Sequence, residues 1–210
     1  MSAAESVPNM RERSRRETRR RLIEAGKKLF ARQGFARTRA TDISREAGVA
    51  VGTIYVHFTD KEALLREILF QGFGEMHAVV RRITDTKYAT VPESERAHAE
   101  ALVGYAAEHP ALFQILFSTE VTTTAAGAEL LEFVTAHQEE RLREGMAEGY
   151  FRADLDPRVA AHAVIGMLVQ VLHWWTQDPS RAPRDVVIDT VTGLRLSGLH
   201  AKNCEGDGTA

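Results

Sequence analysis

The segment GVAVGTIYVHFTDKEALL, residues 48–65, brings together side chains that could hold a phosphate. It carries a hydroxyl at Thr53, a phenol at Tyr55, an imidazole at His57 and an ammonium at Lys61. These groups all donate hydrogen bonds, and helix N-termini beside them would add backbone donors to an anion site. The alternative is that Tyr55 and His57 simply pack between two helices. The elements around the segment bear on this choice.

Helical periodicity dominates the chain and strand patterns are nearly absent. A first helix is expected over about residues 15–33, with Gly34 as its C-terminal cap. A second short helix follows with Thr38 as its N-cap, and a third covers about residues 51–57. Asp60 is suited to cap a long fourth helix that begins at Lys61.

The remaining two thirds of the chain also read as helices. One is expected to end at Glu108, and a short apolar helix follows it. Others are expected over about residues 129–148, from Asp156-Pro157 to before Asp178, and over about residues 183–199. The predicted fold is all-α, with an N-terminal three-helix helix-turn-helix domain (1–60), a larger helical effector-binding and dimerisation domain (61–200) and a disordered tail (201–210).

Composition limits the class of protein. The 210 residues are 44% hydrophobic and 27% charged, which indicates a globular chain. No apolar run approaches the ~20 residues of a membrane span, and the N-terminus does not resemble a secretory signal. The single cysteine, Cys204, excludes a disulfide framework within the chain. We therefore expect a cytoplasmic protein with no membrane partner, no metal and no cofactor.

Charge is distributed unevenly along the sequence. Residues 1–66 contain 15 Lys and Arg against 8 Asp and Glu, whereas the remainder contains 12 against 21. A basic first third on an acidic remainder indicates a polyanionic partner for the first third alone. Solvated helix faces are an equally acceptable explanation of the charge asymmetry by itself.

Two short helices joined by a glycine-containing turn are typical of a helix-turn-helix. Apolar residues at inward positions, including Ile43 and Ile54, leave four residues freer to face outward: Thr53, Tyr55, Val56 and His57. A major groove admits a slim second helix of this kind. A plain helical corner would give a similar spacing.

Residues 25–65 resemble the DNA-binding domain of the tetracycline-repressor (TetR) family. The matching features are Phe30, Gly34-Phe35, Thr38, Asp42-Ile43, Glu46-Ala47-Gly48-Val49, Gly52-Thr53-Ile54-Tyr55, His57-Phe58 and Lys61-Glu62-Ala63-Leu64. The match is ungapped and covers the first third of the chain. The resemblance implies a double-stranded DNA operator as partner. It implies DNA contacts at Thr38, Arg39, Thr41, Val51, Gly52, Thr53, Tyr55, His57 and Lys61, with phosphates held by Tyr55, His57 and Lys61.

One departure from the family pattern lies at the start of the third helix. Ala50 and Val51 stand where the family usually has a capping hydroxyl and often a polar residue. Val51 can touch a thymine methyl but cannot hydrogen-bond to a base edge. Before the first helix's buried face, a run of arginines could lie along phosphates or be a frayed, solvated terminus.

The second domain offers candidates for an effector site. Apolar residues that could line a cavity include Phe73, Met76, Phe113, Phe117 and Phe133, although such stripes usually form core. Polar residues on otherwise apolar faces are His137, Gln170 and His173, of the kind that orient a ligand. A hydrophobic or aromatic small-molecule effector is expected.

The last two helices carry more apolar residues than one buried face requires. The resemblance implies that they pair with their two-fold mates in a homodimer, which suits a palindromic operator. The residues expected at this interface are Val164, Met167, Val171, Trp174, Val187, Val191 and Leu194.

The function expected from these features is a ligand-responsive transcriptional repressor that releases a palindromic operator when its effector binds. Two other functions are alternatives to it. A ferritin-like di-iron enzyme needs two Glu-x-x-His pairs, and only Glu95-x-x-His98 fits that spacing. A DNA-binding activator or repressor without an effector would have the same first domain, so the sequence leaves it open.

Overall fold

The computed structural model describes residues 10–84 and 86–200. Within them lie ten α-helices and one short 3-10 helix, Pro179–Arg181. The α-helices are α1 Met10–Gln33, α2 Ala40–Glu46, α3 Thr53–His57, α4 Lys61–Thr84, α5 Val91–Glu108, α6 Pro110–Leu116, α7 Thr119–Thr122, α8 Ala125–Ala147, α9 Pro157–Gln177 and α10 Arg184–Leu199. The all-α fold is confirmed. The expected tail, residues 201–210, lies outside the described residues.

Several helix ends follow the predicted capping chemistry. Asp60 accepts a hydrogen bond from the Ala63 amide at 2.7 Å, and Asp156 accepts one from the Val159 amide at 2.9 Å. Gly34 ends α1 with a φ of 84°, a left-handed conformation that favours glycine. Helix α1 begins at Met10, five residues earlier than predicted, so the arginine run is part of the helix.

The chain divides into two compact units, residues 1–68 and 69–210. The division falls inside α4, eight residues after the predicted boundary at Asp60. The first two turns of α4 belong to the first unit because Leu64, Leu65 and Ile68 are fully buried.

The first unit is organised around the buried face of α1. Its core is apolar and includes Leu22, Leu29, Phe30, Ile43 and Ile54. This core fixes α2 and α3 against α1.

The second unit is built from helix pairs: α8 packs against α9, α10 against α5, and α6 against α9. Phe113, Leu142 and Ile188 are among its fully buried side chains. One antiparallel bridge, between Phe151 and His200, ties the end of α10 to the loop after α8.

A charged group is also buried in the second unit. The Glu95 carboxylate on α5 pairs with Arg195 on α10 at 2.9 Å and with His200 at 3.3 Å. Burial alone would raise the pKa of Glu95, but the adjacent His200 and the charge of Arg195 outweigh it and lower the pKa to about 2. Glu95 is therefore an ionised partner of arginine and not a free metal ligand.

Helix α9 departs from one sequence expectation. By length and composition alone it could cross a membrane, with a mean hydropathy of 1.3 over its most apolar window, so the expectation that no run approaches a span was wrong. A core helix of a soluble protein passes the same test, and α9 packs against α8 and α6.

Candidate nucleic-acid interface and effector site

The predicted helix-turn-helix is present in the first unit. Ile43, Ala47 and Ile54 point inward, as expected, and each is at most 5% exposed. The turn contains Gly48 in a left-handed conformation, with a φ of 64°. The Arg21 guanidinium donates a hydrogen bond to the Gly48 carbonyl at 3.2 Å, which ties this turn to α1.

One face of α3 and its entry turn is open to solvent. Val51 is 50% exposed, Tyr55 59% and Val56 66%, and Gly52 is also exposed. Large side chains are rarely left this exposed without a partner when they cluster on a short segment. Tyr55 and Val56 were expected to face outward, and the resemblance implied DNA contacts at Val51, Gly52 and Tyr55.

Two polar residues of α3 are half-buried at the edge of this face. Thr53 and His57 line a groove of about 380 Å³ against α1, together with Met10, Arg11, Ser14, Arg15 and Thr18. Burial lowers the pKa of His57, and the charges of Arg15 and Arg19 lower it further. The groove is thus a place where cationic groups accumulate beside the exposed helix.

Neither the backbone conformation nor the packing around Gly52 requires a glycine at this position. Its backbone has ordinary helical angles, with a φ of −69°, and a Cβ placed there would meet nothing within 4 Å. The missing side chain therefore leaves room for something outside the protein to approach the backbone.

The residues predicted at the start of α2 separate into two groups. Thr38 is 1% exposed, and its hydroxyl donates to the Gly34 carbonyl at 2.7 Å and accepts from Gln33 at 3.2 Å. Thr38 is consequently neither the N-cap of α2 nor accessible to DNA, and both predictions for it were wrong. Arg39, the actual N-cap residue, and Thr41 are exposed.

Lys61 is held by the protein itself. Its ammonium donates hydrogen bonds to the Phe35 carbonyl at 2.7 Å and the Thr38 carbonyl at 3.0 Å, and lies 4.1 Å from the centre of the Phe35 ring. The Ala36 carbonyl lies 3.5 Å from the same ammonium, so all three of its donors have a backbone acceptor. This geometry contradicts the phosphate contact implied by the resemblance and makes Lys61 a tie between α4 and the α1–α2 turn.

The arginines of α1 differ in whether they are paired. Arg16 and Arg20 pair with glutamates on the same helix, at 2.7 Å each. Among the described residues, no ion pair joins Arg11, Arg13 or Arg15 to a carboxylate, and all three are exposed. Of the three, Arg11 and Arg15 line the groove with Thr53 and His57, so they supply positive charge beside α3.

The second unit holds an aromatic cluster, defined here as Phe70, Phe73, His77, Phe133 and His137. The Phe133 ring on α8 lies 6.0 Å from Phe70 and 5.7 Å from Phe73, both on α4. The Nε2 atoms of His77 and His137 are 3.1 Å apart. Burial, followed by the charge of His77, lowers the pKa of His137, which favours the neutral imidazole at His137.

Other predicted effector residues lie elsewhere in this unit. Phe117 is 5.6 Å from Phe113 and 6.4 Å from His173, which forms a second row of rings. Phe113 is fully buried, so it is core rather than lining. Met76 is half-buried on α4, and Gln170 is exposed on α9, with no described hydrogen bond to either group of rings.

The predicted dimer residues divide by burial. Val164, Val187 and Val191 are at most 5% exposed because α9 and α10 turn them toward the protomer core, so they cannot form a surface and their assignment was wrong. Met167 and Val171 are half-buried. Trp174 is 41% exposed and Leu194 56%.

Comparison with known proteins assigns both units. The profile described as "Bacterial regulatory proteins, tetR family" matches residues 22–68. The profile described as "Tetracyclin repressor-like, C-terminal domain" matches residues 92–199, about half of the chain. The chain belongs to the TetR family. Members of the TetR family are DNA-binding transcription regulators, so this chain is a regulator and not an enzyme.

Relatives and solved structures of the TetR family cover most of the chain. The fatty acid metabolism regulator protein of Bacillus subtilis (strain 168) is 24% identical over 193 residues, 86% of this chain and 95% of its own length. The structure of the fatty acid degradation regulator FadR from Bacillus halodurans is 26% identical, with a TM-score of 0.74, and covers 88% of this chain and 97% of its own. The structure of FadR from Bacillus subtilis in complex with stearoyl-CoA is 23% identical, with a TM-score of 0.66, and covers 86% of this chain and 99% of its own.

Sequence reasoning left some residues of the aromatic cluster unassigned. Phe70 and His77 were missed, although Phe70, Phe73 and His77 have the i, i+3, i+7 spacing of one helix face. Phe133 and His137, four residues apart on α8, likewise share one helix face. The paired spacing of ring residues on two helices was the available signal.

Proposed function

We propose that this TetR-family protein is a cytoplasmic, ligand-responsive repressor. A homodimer binds a palindromic operator through the first unit of each copy. A small hydrophobic effector binds the second unit and favours a state that does not bind DNA, so that the operator is released.

The observation that carries DNA binding is the exposed face of α3 beside unpaired arginines. Phosphate contacts position a protein on DNA, and Arg11 and Arg15 supply cations for them beside α3. Tyr55 and His57 add a phenol and an imidazole at the same edge. The proposed contacts are Arg39, Thr41, Val51, Gly52, Thr53, Tyr55 and His57, with Thr38 and Lys61 removed from the predicted set.

Selection of DNA from a random-sequence library tests this part. Full-length protein is incubated with random 40-base-pair duplexes, and bound DNA is amplified through successive rounds. We expect enrichment of inverted repeats whose half-sites lie about 34–36 Å, or a multiple of it, from centre to centre. Failure to enrich any sequence would contradict operator binding.

The aromatic cluster is the proposed effector site. Its rings come from α4 and α8, and Phe133 remains 52% exposed although it touches two other phenylalanines. FadR from Bacillus subtilis was solved in complex with stearoyl-CoA, which supports an acyl chain as the apolar part of the effector. Burial of such a chain would stabilise the complex by about 25 cal/mol per Å² of apolar surface removed from water.

A matched pair of variants on α8 tests the effector site. Leu131 lies two residues before Phe133 on α8 and is 47% exposed, similar to the 52% of Phe133. Leu131→Ala therefore removes a similarly exposed apolar side chain that is not part of the aromatic cluster. We expect stearoyl-CoA to raise the melting temperature of the wild type and of Leu131→Ala, and to do so much less for Phe133→Ala. Free coenzyme A should have no effect on any of them.

Titration of the selected duplex separates the two possible kinds of regulator. Release of the duplex by stearoyl-CoA or stearate supports an acyl effector. If neither ligand changes melting temperature or DNA affinity, the acyl-chain proposal is wrong and the protein behaves as a regulator without this effector.

The proposed dimer face uses the exposed residues of α9 and α10. Trp174 and Leu194 are exposed, and Val186, which was not predicted, is 52% exposed on α10. These residues replace the buried valines in the predicted interface.

A further inference from the structure

Residues 50–58, called here the recognition segment, expose almost no hydrogen-bonding side chains. The exposed residues between positions 50 and 56 are Ala50, Val51, Gly52, Tyr55 and Val56. Tyr55 alone among these five carries a polar side-chain atom. Val51 and Val56 are 50% and 66% exposed, so their methyl groups are presented outward.

The major-groove edges of the bases limit what such a surface can recognise. Each edge shows hydrogen-bond donors and acceptors, and thymine adds a C5-methyl group. A valine placed against a donor or acceptor would remove it from water without replacing its hydrogen bond, which is unfavourable. A valine placed against the thymine methyl buries two apolar groups together, which is favourable.

A protein partner would also cover exposed valines, but the surrounding charge favours DNA. The groove beside Thr53 and His57 is lined by Arg11 and Arg15, neither of which is paired with a described carboxylate. Cations at the edge of an apolar strip suit phosphates on either side of a groove. Gly52 lets the backbone come close, since no side chain stands in the way there.

We propose that Val51 and Val56 read thymine methyl groups, so that thymines in each half-site are recognised by their methyl group rather than by hydrogen bonds. This inference rests on the proposed operator binding. It assigns to Val56 a role in specificity, and it explains why the segment functions without the polar residue usual at position 51.

Uracil in place of thymine tests the inference directly, since uracil lacks only the methyl group. The duplex selected from the random library is resynthesised with each half-site thymine replaced in turn by deoxyuridine. We expect about a fourfold loss of affinity at each thymine that is read, the value for burying one methyl-sized group. Equal affinity for all uracil duplexes would overturn the inference while leaving operator binding intact.

Alanine variants assign the effect to the two valines. Val51→Ala and Val56→Ala should bind the thymine duplex more weakly and lose their discrimination against uracil at one position each. Val159→Ala is the matched control, because Val159 is 67% exposed on α9. Full discrimination retained in the Val51→Ala, Val56→Ala double variant would overturn the proposal. Failure of the wild type to enrich any DNA would instead overturn the proposed function itself.

Discussion

The Lys61 ammonium donates a hydrogen bond to the Phe35 carbonyl oxygen at 2.7 Å while lying over the ring of the same residue at 4.1 Å. One cation is thus bound twice by one residue of the α1–α2 turn. Hydrogen bonds from charged donors typically contribute about 1.5–3 kcal/mol, and a cation over a ring adds to this.

We expect Lys61→Ala to destabilise the first unit by about 2 kcal/mol. The salt dependence of operator binding should change little, because the ammonium is engaged internally. Urea unfolding measures the stability, and titration of the selected duplex at several salt concentrations measures the slope. A stable Lys61→Ala variant with a reduced slope would restore the phosphate contact and refute the internal role.

Arg15→Ala should give the opposite pattern. Arg15 is exposed and lacks a described ion pair, so its loss should leave the free energy of unfolding nearly unchanged. If its guanidinium contacts one phosphate, the slope of log affinity against log salt should fall in magnitude by about 0.9 per subunit. Arg16→Ala is the control, since Arg16 is paired with Glu12. Equal slopes for Arg15→Ala and the wild type would place the phosphates elsewhere.

Leu194→Lys should disrupt the proposed dimer. Leu194 is 56% exposed, so the charge should not unfold the protomer, but it would be buried without a partner in a dimer interface. Analytical ultracentrifugation should show monomers, with unchanged far-UV circular dichroism. Leu131→Lys on α8 provides a control at a similarly exposed leucine. A dimeric Leu194→Lys variant would exclude this face of α10.

Acid should weaken the second unit through Glu95. Because the pKa of Glu95 is lowered from 4.5 to about 2, its ionised form stabilises the fold above pH ~4.5, and this stabilisation is lost as the pH falls toward 2. The loss should amount to roughly 3 kcal/mol. Glu95→Gln, which leaves Arg195 without its carboxylate, should be less stable at pH 7 and should lack this part of the pH dependence. Urea midpoints between pH 2.5 and pH 7 measure the difference, and parallel curves for both proteins would contradict it.

Helix caps and the buried faces of short helices depend on residues close together in the chain, so local sequence patterns predicted them. The caps at Asp60 and Asp156 were found because a cap needs only a side chain and the backbone three residues ahead. The inward positions Ile43 and Ile54 followed from helical spacing. The exposed recognition face was therefore largely predictable.

Long-range packing was not predictable in the same way. Helix α10 has apolar residues on two faces, and periodicity cannot tell which one meets α5, so Val187 and Val191 were placed on the wrong side. Thr38 and Lys61 have ordinary side chains for a DNA contact, but their acceptors are backbone carbonyls of the folded α1–α2 turn, which no sequence pattern indicates. The pair Glu95–Arg195 joins residues 100 positions apart, beyond any local pattern.

The recognition segment keeps its anchors and its exposed residues at different positions. Ile54 and Phe58 hold it in the core, at 1% and 5% exposure, while Val51 and Val56 take no part in that packing. Substitutions at the exposed positions therefore cost the fold little, since surface changes are usually within about 0.5 kcal/mol. After a gene duplication, the exposed residues of one copy can therefore change, and with them the promoters that it binds. Each intermediate variant along the way would still fold.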